Sequence, residues 1–297
     1  MLLKQLINKG IETISPLYPE GEAKEMVFAL LEYMLGTKRY THIIEPSLDI
    51  SEDKVQSVET AFARLAAGEP VQYITGHADF YGRRFHVTPS VLIPRPETEI
   101  LCRTALEHLS SAQSVLDLCT GSGCIAWTMA MECPGAEVTA VDISDDALEV
   151  ARNQTFAEDM ARAGAVAPFF VKADVLAGPE SFLTSDVLTG HDSSAVFDLI
   201  LSNPPYVMDK EKALMRPNVL EHEPHLALFV SDVDPLIFYR AIARWSATLL
   251  SRHGTGIVEI NEALGMETAL VFKDAGFTHT EILKDLNDRD RFVLFRR

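Results

Sequence analysis

The stretch Ser114–Cys133, SVLDLCTGSGCIAWTMAMEC, decides the fold of this chain. A short apolar run contains Asp117, a glycine-rich turn follows, and the next apolar run is long enough for a helix. Gly121 and Gly123 let backbone approach a ligand closely, and Ala126 permits close packing of the helix. The stretch therefore predicts the strand–turn–helix unit that opens a nucleotide-binding α/β sheet.

The same alternation of strand-like and helix-like runs continues to the C-terminus. The strand-like runs are EVTAVDIS, PFFVKAD, FDLILSNPPY, GTGIVEI, HTEIL and RFVLFRR. Most are separated by helix-like runs, among them one long helix predicted from Asp145 to Gly164. This pattern is typical of a parallel, doubly wound sheet with ligands at the carboxyl ends of its strands. The Gly-, Pro- and Ser-containing stretch Leu176–Ala195 predicts a surface excursion, whose role the sequence leaves open.

The N-terminal part of the chain predicts a small helical module without chemistry of its own. One of its helix-like runs places Met26, Leu30, Tyr33 and Met34 on one stripe and ends at Gly36, a good C-terminal cap. We therefore expect the module to dock a substrate. The predicted domains are a helical domain at residues 1–72, a β-hairpin linker around Gly82 at residues 73–95, and an α/β domain at residues 96–297.

Composition narrows the class of protein. The net charge of −17, from 43 acidic and 26 basic residues, argues against a dedicated nucleic-acid binder, which needs Lys and Arg to displace counterions from phosphates. No apolar run approaches the roughly 20 residues of a membrane helix, and the N-terminus lacks a signal-peptide core. Four cysteines do not make a disulfide framework in a chain of this length. We expect a cytoplasmic, monomeric protein without membrane or direct nucleic-acid contact.

The glycine-rich turn and the acids that end neighbouring strands predict a nucleoside cofactor. Asp142 ends the strand after the turn, where a carboxylate can hold ribose hydroxyls. Enzymes that use S-adenosylmethionine usually carry acid-x-Gly-x-Gly-x-Gly here, but Cys119 stands at the first glycine, so the turn alone leaves a dinucleotide open. Asp174 ends the third strand, where it could contact adenine or simply cap a helix.

The motif NPPY, Asn203 to Tyr206, favours methyl transfer. The Asn203 Oδ1 atom and the Pro204 carbonyl are two acceptors that can hold both protons of a planar NH₂ group. That contact would draw the nitrogen lone pair out of conjugation, while Tyr206 offers a flat face to the same group. A plain proline turn is the weaker interpretation beside a cofactor motif. Asn203, Pro204 and Tyr206 are the predicted catalytic residues.

Metal-binding patterns are weak in this sequence. His222 and His225 lie close to acids, but Pro224 interrupts the run and the HExxH spacing is absent. Cys119, Cys124 and Cys133 lack a second CxxC pair or a histidine at zinc spacing. We predict no metal site, and a loop near the substrate entrance at EHEPH.

Several motifs together resemble one family. The order GEPVQYITG, IPRPETE, DLCTGSGCIA, VDIS, LILSNPPYV, EHEPHLAL and DRDRFV is similar to that of the N5-glutamine methyltransferases of peptide chain release factors. The resemblance covers residues 68–297 in motif and the helical module in layout. NPPY alone is shared with adenine-N6 DNA methyltransferases, and ribosomal-protein glutamine methyltransferases tend to vary the stretch Pro96–Glu99, which is intact here.

The resemblance implies a Rossmann-like methyltransferase that uses S-adenosyl-L-methionine and methylates the glutamine of a release factor's Gly-Gly-Gln loop. It carries the family's substrate positions onto Asn203, Pro204, Pro205 and Tyr206, and cofactor positions onto Thr120, Gly121, Gly123, Asp142 and Val175. The full predicted cofactor set is Cys119, Thr120, Gly121, Ser122, Gly123, Asp142, Asp174, Val175 and Asn203. Methylation of a ribosomal protein, methylation of adenine in DNA, and a non-catalytic binding module remain as alternatives.

Overall fold

The computed structural model describes residues 1–109, 113–183 and 196–297, with nothing said of the Ser181 side chain. These residues form two compact units, one of Met1–His77 with Met215–Glu223 and the other of Ala78–Leu214 with Pro224–Arg297. Most of the predicted excursion, residues 184–195, lies outside the described residues. The domain boundaries taken from the sequence stay a prediction.

The first unit is helical. Its helices in the N-terminal segment are α1 (Leu3–Ile14), α2 (Glu20–Leu35), α3 (Thr41–Ile44), α4 (Glu52–Ala66) and α5 (Val71–Thr75). α2 ends at Gly36, whose positive φ of 68° and N–H bond to the Glu32 carbonyl confirm the predicted cap. The predicted stripe on α2 was correct in part. Leu30 is buried, and Met26 and Met34 are half-buried and pack against the core, but Tyr33 is 48% exposed. The fully buried face also includes Ala23, Val27 and Leu31, because packing against the other helices selects the face.

Gly10 lets α1 pack closely on α4. It is buried, and a Cβ atom placed on it would overlap the ring of Phe62, with Phe62 Cε1 only 2.8 Å away. Phe62 itself is fully buried in the core of this unit. The glycine is therefore required by the approach of the two helices and not by a turn.

A β-hairpin joins the chain to the α/β part. Its strands are β1 (His77–Phe80) and β2 (Arg83–His86), and the two turn residues Tyr81 and Gly82 both have positive φ, as in a type I′ turn. The predicted hairpin around Gly82 is thus present. Tyr73 to Thr75, which the sequence assigned to the hairpin linker, belong to helix α5 instead.

The second unit is built on a twisted mixed sheet. The remaining strands are β3 (Ser114–Leu118), β4 (Glu137–Asp142), β5 (Phe169–Lys172), β6 (Phe197–Ser202), β7 (Val207–Met208), β8 (Phe229–Val230), β9 (Leu250–Glu259), β10 (His279–Lys284) and β11 (Asp290–Arg296). Among the described residues, seven of them form one sheet in the order β10-β11-β9-β6-β3-β4-β5, and β7 pairs with β8 separately. The α/β fold class is confirmed.

One strand departs from the predicted all-parallel sheet. β3, β4, β5, β6 and β9 pair in parallel, but β11 runs antiparallel to both β9 and β10. The connection from β10 to β11 spans only residues 285–289. A parallel crossover needs a dozen or more residues, so this short turn permits only a hairpin.

Helices cover both faces of the sheet. They are α6 (Pro96–Leu106), α7 (Cys124–Glu132), α8 (Asp145–Arg152), α9 (Ala157–Ala163), α10 (Glu180–Leu183), α12 (His225–Leu228), α13 (Ile237–Leu249) and α14 (Gly265–Asp274), while α11 (Pro217–Leu220) belongs to the helical unit. α6, α7 and α8 pack on one face, and α13 and α14 on the other. Within the described ranges, no helix is both long and apolar enough to cross a membrane.

The long helix predicted from Asp145 to Gly164 is broken. α8 ends at Arg152 and α9 starts at Ala157, with buried Phe156 between them. The Phe156 ring packs edge-on against Trp127 and Phe85, with ring centroids 5.5 and 4.7 Å apart. Burial of this ring decides where the chain leaves the helix, which periodicity along the sequence could not show.

We expect Gly10→Ala to destabilise the helical unit by about 1–3 kcal/mol, because the new methyl group must displace the Phe62 ring in a packed core. Hydrogen exchange followed by mass spectrometry on peptides of α1 and α4 measures the local free energy of opening.

Gly21→Ala is the matched control for that substitution. Gly21 lies exposed in the first turn of α2, and no neighbouring group in the described ranges comes within 4 Å of the position that a Cβ atom would take. Alanine there should be neutral or stabilise by up to about 1 kcal/mol, because only helix propensity changes. Equal effects of the two substitutions would contradict the packing argument.

Candidate active site

A cavity of about 440 Å³ lies in the second unit at the carboxyl ends of β3, β4, β5 and β6. Ligands of open α/β sheets bind at this edge, where the strand order reverses, here between β3 and β6. The predicted site residues that line the cavity are Cys119, Thr120, Gly121, Ser122, Asp142, Asp174, Val175, Asn203 and Pro205. Gly123, Pro204 and Tyr206 do not line it.

Asp142 joins the glycine-rich turn to the end of β4. Its Oδ2 atom accepts a hydrogen bond from Gly121 N (2.8 Å), and its Oδ1 atom accepts one from Ser144 N (3.0 Å). Burial raises the pKa of Asp142, while these backbone donors act in the opposite direction. The carboxylate therefore holds the turn in shape and also faces the cavity.

Beneath the turn lies a second carboxyl group. Asp117 is fully buried in β3, and Thr120 Oγ1 donates to its Oδ2 atom at 2.5 Å. Burial raises the pKa of Asp117 to about 7, with the Thr120 bond acting in the opposite direction. Asp117 does not line the cavity, so its visible contact is with the turn and not with a ligand.

Cys119 adopts a glycine-like backbone conformation. Its φ is +63°, in the left-handed region that residues with a Cβ atom rarely occupy. The chain thus keeps the geometry of the usual acid-x-Gly turn although the first glycine is absent. The thiol side chain becomes part of the cavity wall, where burial raises its pKa well above the usual range.

Gly123 serves packing at the start of α7. Its φ is +79°, and a Cβ atom on it would lie 3.0 Å from Trp127 Cδ1 and 3.1 Å from Ala151 Cβ. The residue was predicted to contact the cofactor, but its close neighbours are core side chains. Close approach of α7 and α8 therefore accounts for this glycine.

Asp174 caps a turn and also lines the cavity. Its Oδ1 atom accepts a hydrogen bond from Leu176 N at 2.8 Å, which caps the 3₁₀ turn Val175–Ala177. The residue also lines the cavity, beside Val175. Capping leaves its second carboxylate oxygen available to a ligand.

The NPPY motif follows the end of β6, next to β3. Ser202 Oγ donates to the Leu118 carbonyl (2.7 Å) and so ties the two strand ends together. Both prolines are buried, but only Pro205, together with Asn203, lines the cavity. The Tyr206 hydroxyl donates to Glu259 Oε1 at 3.0 Å, so this tyrosine is anchored behind the motif. Burial, followed by the charge of Glu259, raises the pKa of Tyr206 well above its usual range.

Thr98 and Glu259 complete the surroundings of Asn203. Asn203 Nδ2 donates to Thr98 Oγ1 (3.1 Å), and Thr98 Oγ1 donates to Glu259 Oε2 (2.7 Å). Sequence reasoning used Thr98 only as part of IPRPETE and overlooked Glu259. The missed signal was an acid at the end of the strand-like run GTGIVEI, the same signal that pointed to Asp142 and Asp174.

Asn261 fixes the segment that follows the NPPY motif. Its Nδ2 atom donates to the Tyr206 carbonyl (3.2 Å) and to Glu211 Oε2 (2.8 Å). The same Glu211 oxygen accepts from Met208 N at 2.7 Å. β7 is thereby held against the end of β9, and the two prolines are fixed from both sides.

Two further segments form walls of the cavity. The connection between the hairpin and α6 contributes Pro89, Ser90, Val91, Leu92, Pro94 and Arg95, which the sequence had not suggested. EHEPHLAL contributes Pro224, Leu226 and Ala227. Its last four residues form helix α12, and the expected place of EHEPH at the substrate entrance stays a prediction. In the part of the chain that the structure describes, no group of three or more His, Cys, Asp or Glu residues could hold a metal.

Comparison with known proteins finds matches to two family models and a fold similarity. A family model described as Methyltransferase small domain matches residues 96–226, and one described as PrmC N-terminal domain matches residues 5–76. Among solved structures, the hMettl16 catalytic domain in complex with MAT2A 3′UTR hairpin 6 is similar, with a TM-score of 0.51 and 13% identity over 84% of each chain. A likeness at this identity concerns the fold alone.

Curated relatives cover nearly the whole chain. The release factor glutamine methyltransferase of Flavobacterium psychrophilum is 35% identical, over 99% of this chain and 98% of the relative. That of Bacteroides thetaiotaomicron is 36% identical, over 96% of this chain and 97% of the relative. That of Streptococcus pneumoniae is also 36% identical, over 99% of this chain and 98% of the relative. The resemblance seen in the motifs is confirmed, and the chain belongs to the release factor glutamine methyltransferase family.

Proposed function

We propose that this chain transfers a methyl group from S-adenosyl-L-methionine to the side-chain amide nitrogen (N5) of the glutamine in the Gly-Gly-Gln motif of peptide chain release factors. One observation carries the proposal: Asn203 and Pro205 of NPPY line the same cavity as Asp142 and the glycine-rich turn. The names of the full-length relatives support the substrate. The chemistry of the cavity supports the reaction.

The residues at the turn fit the cofactor. A cavity of about 440 Å³ lies within the roughly 300–1,000 Å³ range of small-molecule sites. Asp142 offers a carboxylate to ribose hydroxyls, and Asp174 offers one to a second hydrogen-bond donor. The proposed cofactor set remains Cys119, Thr120, Gly121, Ser122, Gly123, Asp142, Asp174, Val175 and Asn203. S-Adenosyl-L-methionine, when bound, supplies a methyl group on a positively charged sulfur.

The NPPY residues orient the substrate amide. Asn203 Oδ1 and the Pro204 carbonyl accept the two N–H protons, with Pro205 and Tyr206 shaping and supporting the motif. An amide nitrogen is a poor nucleophile, so positioning must lower most of the barrier, and well-aligned reactants gain about 7–11 kcal/mol. The two acceptors stabilise the positive charge that develops on nitrogen. No general base is required, because the methylated nitrogen is acidic enough to lose its proton to water.

The division of labour along the chain belongs to the same proposal. The helical domain at residues 1–72 docks the protein substrate. The β-hairpin linker at residues 73–95 connects it to the α/β domain at residues 96–297, which carries out methyl transfer. The proposal also includes a cytoplasmic monomer, and the net charge of −17 supports the absence of direct contact with nucleic acid.

Mass spectrometry tests the substrate. We expect a release factor incubated with the enzyme and S-adenosyl-L-methionine to gain the mass of one CH₂ group on its Gly-Gly-Gln peptide, at the glutamine. A release factor with this glutamine changed to alanine should gain nothing. Methylation of a ribosomal protein or of DNA adenine, with the release factor left unmodified, would sink the proposal.

Replacement of the proposed acceptor separates catalysis from cofactor binding. Asn203→Ala should lower kcat/KM by about 100- to 1,000-fold, because an acceptor aimed at the developing charge is lost. Calorimetry should find the affinity for S-adenosyl-L-methionine reduced far less than kcat/KM, because Asn203 is only one of nine proposed cofactor residues, whereas Asp142→Ala should weaken that affinity strongly.

Asn153→Ala is the control for this pair. Asn153 is exposed at the end of α8 and does not line the cavity, so both activity and affinity should match those of the unsubstituted enzyme. A parallel loss of activity and cofactor affinity in Asn203→Ala would show that the role assigned to Asn203 is incorrect.

A further inference from the structure

Two successive hydrogen bonds run from the cavity wall to a buried acid behind it. Asn203 and Thr98 both line the cavity, and Asn203 Nδ2 donates to Thr98 Oγ1 at 3.1 Å. Thr98 Oγ1 in turn donates to Glu259 Oε2 at 2.7 Å. Thr98 is 2% exposed and Glu259 is 1% exposed, so water does not compete for these bonds. These two hydrogen bonds join three parts of the sequence that lie far apart, in α6, just after β6 and at the end of β9.

The direction of these bonds follows from the groups present. An ionised carboxylate only accepts, and a threonine hydroxyl has a single proton to donate. Once that proton points at Glu259, Thr98 can only accept from Asn203. The Asn203 amide must then turn its NH₂ group towards Thr98, which leaves its oxygen for a ligand. The reversed amide would place two N–H donors where a substrate NH₂ group also donates.

Hydroxyl donors face both oxygens of Glu259, with Thr98 Oγ1 2.7 Å from Oε2 and Tyr206 Oη 3.0 Å from Oε1. Burial raises the pKa of Glu259, and the Thr98 and Tyr206 hydroxyls and the charge of Arg291 act in the opposite direction. Arg291 is itself held by Asp285, whose Oδ2 atom accepts from Arg291 Nε at 3.2 Å. A buried carboxyl group is costly, and an apolar residue would pack at lower cost. The position of Glu259 behind Asn203 therefore calls for a role besides packing.

We propose that Thr98 and Glu259 are positioning residues that fix the Asn203 amide with its oxygen towards the cavity, and that this orientation sets the rate of methyl transfer. The proposal rests on the function proposed above. It also explains why Thr98 of IPRPETE and Tyr206 of NPPY meet at one acid: both hydroxyls donate to Glu259, through different oxygens.

Two substitutions at one position test the role of the hydroxyl. Thr98→Val keeps the shape of the side chain and removes the bond, so we expect kcat to fall by about 10- to 100-fold, in line with the cost of a misplaced catalytic group. KM for the release factor and the affinity for S-adenosyl-L-methionine should change little. Thr98→Ser restores the hydroxyl and should recover most of the rate.

Thr268→Val is the matched control. Thr268 is a fully buried threonine of α14, and its hydroxyl makes no hydrogen bond within the described part of the chain. The same change of side chain there should leave kcat unaltered. The hydrogen bonds Asn203–Thr98–Glu259 are called the relay below. A similar loss in both valine variants would show that a general packing defect lowers the rate, and not the loss of the relay.

The orientation of the amide can be observed without turnover. In protein labelled with ¹⁵N-asparagine, the side-chain NH₂ signals of Asn203 are identified by their loss in Asn203→Ala. We expect these protons to exchange slowly with water in the unsubstituted protein, and to exchange faster with shifted signals in Thr98→Val. Thr98→Ser should resemble the unsubstituted protein.

Glu259→Gln tests the acid at the end of the relay. A glutamine of the same shape can donate to Thr98 as well as accept from it, which permits the reversed order of bonds. We expect kcat to fall by about tenfold, and the Asn203 NH₂ group to show a second set of signals.

The readouts separate this proposal from the function on which it rests. Unchanged kcat and unchanged Asn203 signals in Thr98→Val would overturn the relay, as would a loss of rate that serine does not restore. A change confined to KM would also overturn it. If the unsubstituted enzyme methylates no Gly-Gly-Gln peptide, the proposed function fails, and the Asn203 signals alone decide whether the relay orients the amide.

Discussion

The parallel pairing of β3 with β6 is the constraint on which the candidate site depends. Leu118 lies opposite Ser202 in this register, and the Ser202 hydroxyl bonds to the Leu118 carbonyl across 84 residues of sequence. Both strands therefore end at the same height. The glycine-rich turn after one strand and NPPY after the other are brought to a single cavity. A slip of the register would separate the proposed cofactor and substrate residues, because strand side chains alternate between faces.

Buried carboxyl groups are the second theme of this edge of the sheet. Burial raises the pKa of Asp117, Asp142 and Glu259, and each group accepts a hydrogen bond from a neighbouring donor. Thr120 donates to Asp117, Gly121 to Asp142, and Thr98 to Glu259. A carboxyl group that loses water needs such partners. The three acids thus help to fix the glycine-rich turn, the end of β4 and the surroundings of the NPPY motif.

Features that depend on neighbouring residues were predictable from the sequence. The turn at Gly121, the cap at Gly36 and the hairpin at Gly82 each follow from the backbone conformations that glycine allows. Features that depend on distant residues were not. The buried face of α2, the antiparallel direction of β11 and the break between α8 and α9 were set by packing or connection length. Glu259 was missed for a similar reason, since its partners Thr98 and Tyr206 lie far away in sequence.

The sequence by itself determined the α/β class, the family and the set of residues with suitable chemistry, because motif spacing and strand–helix alternation are local properties of the chain. Only the tertiary structure decided which of these residues face the cavity and which support them. Gly123 and Tyr206 do not line the cavity, since the close neighbours of Gly123 are core side chains and the Tyr206 hydroxyl bonds to buried Glu259. Thr98 and Glu259 meet Asn203 only through pairing and packing of distant elements. The orientation of the Asn203 amide depends on these contacts between distant residues, so no local sequence pattern encodes it.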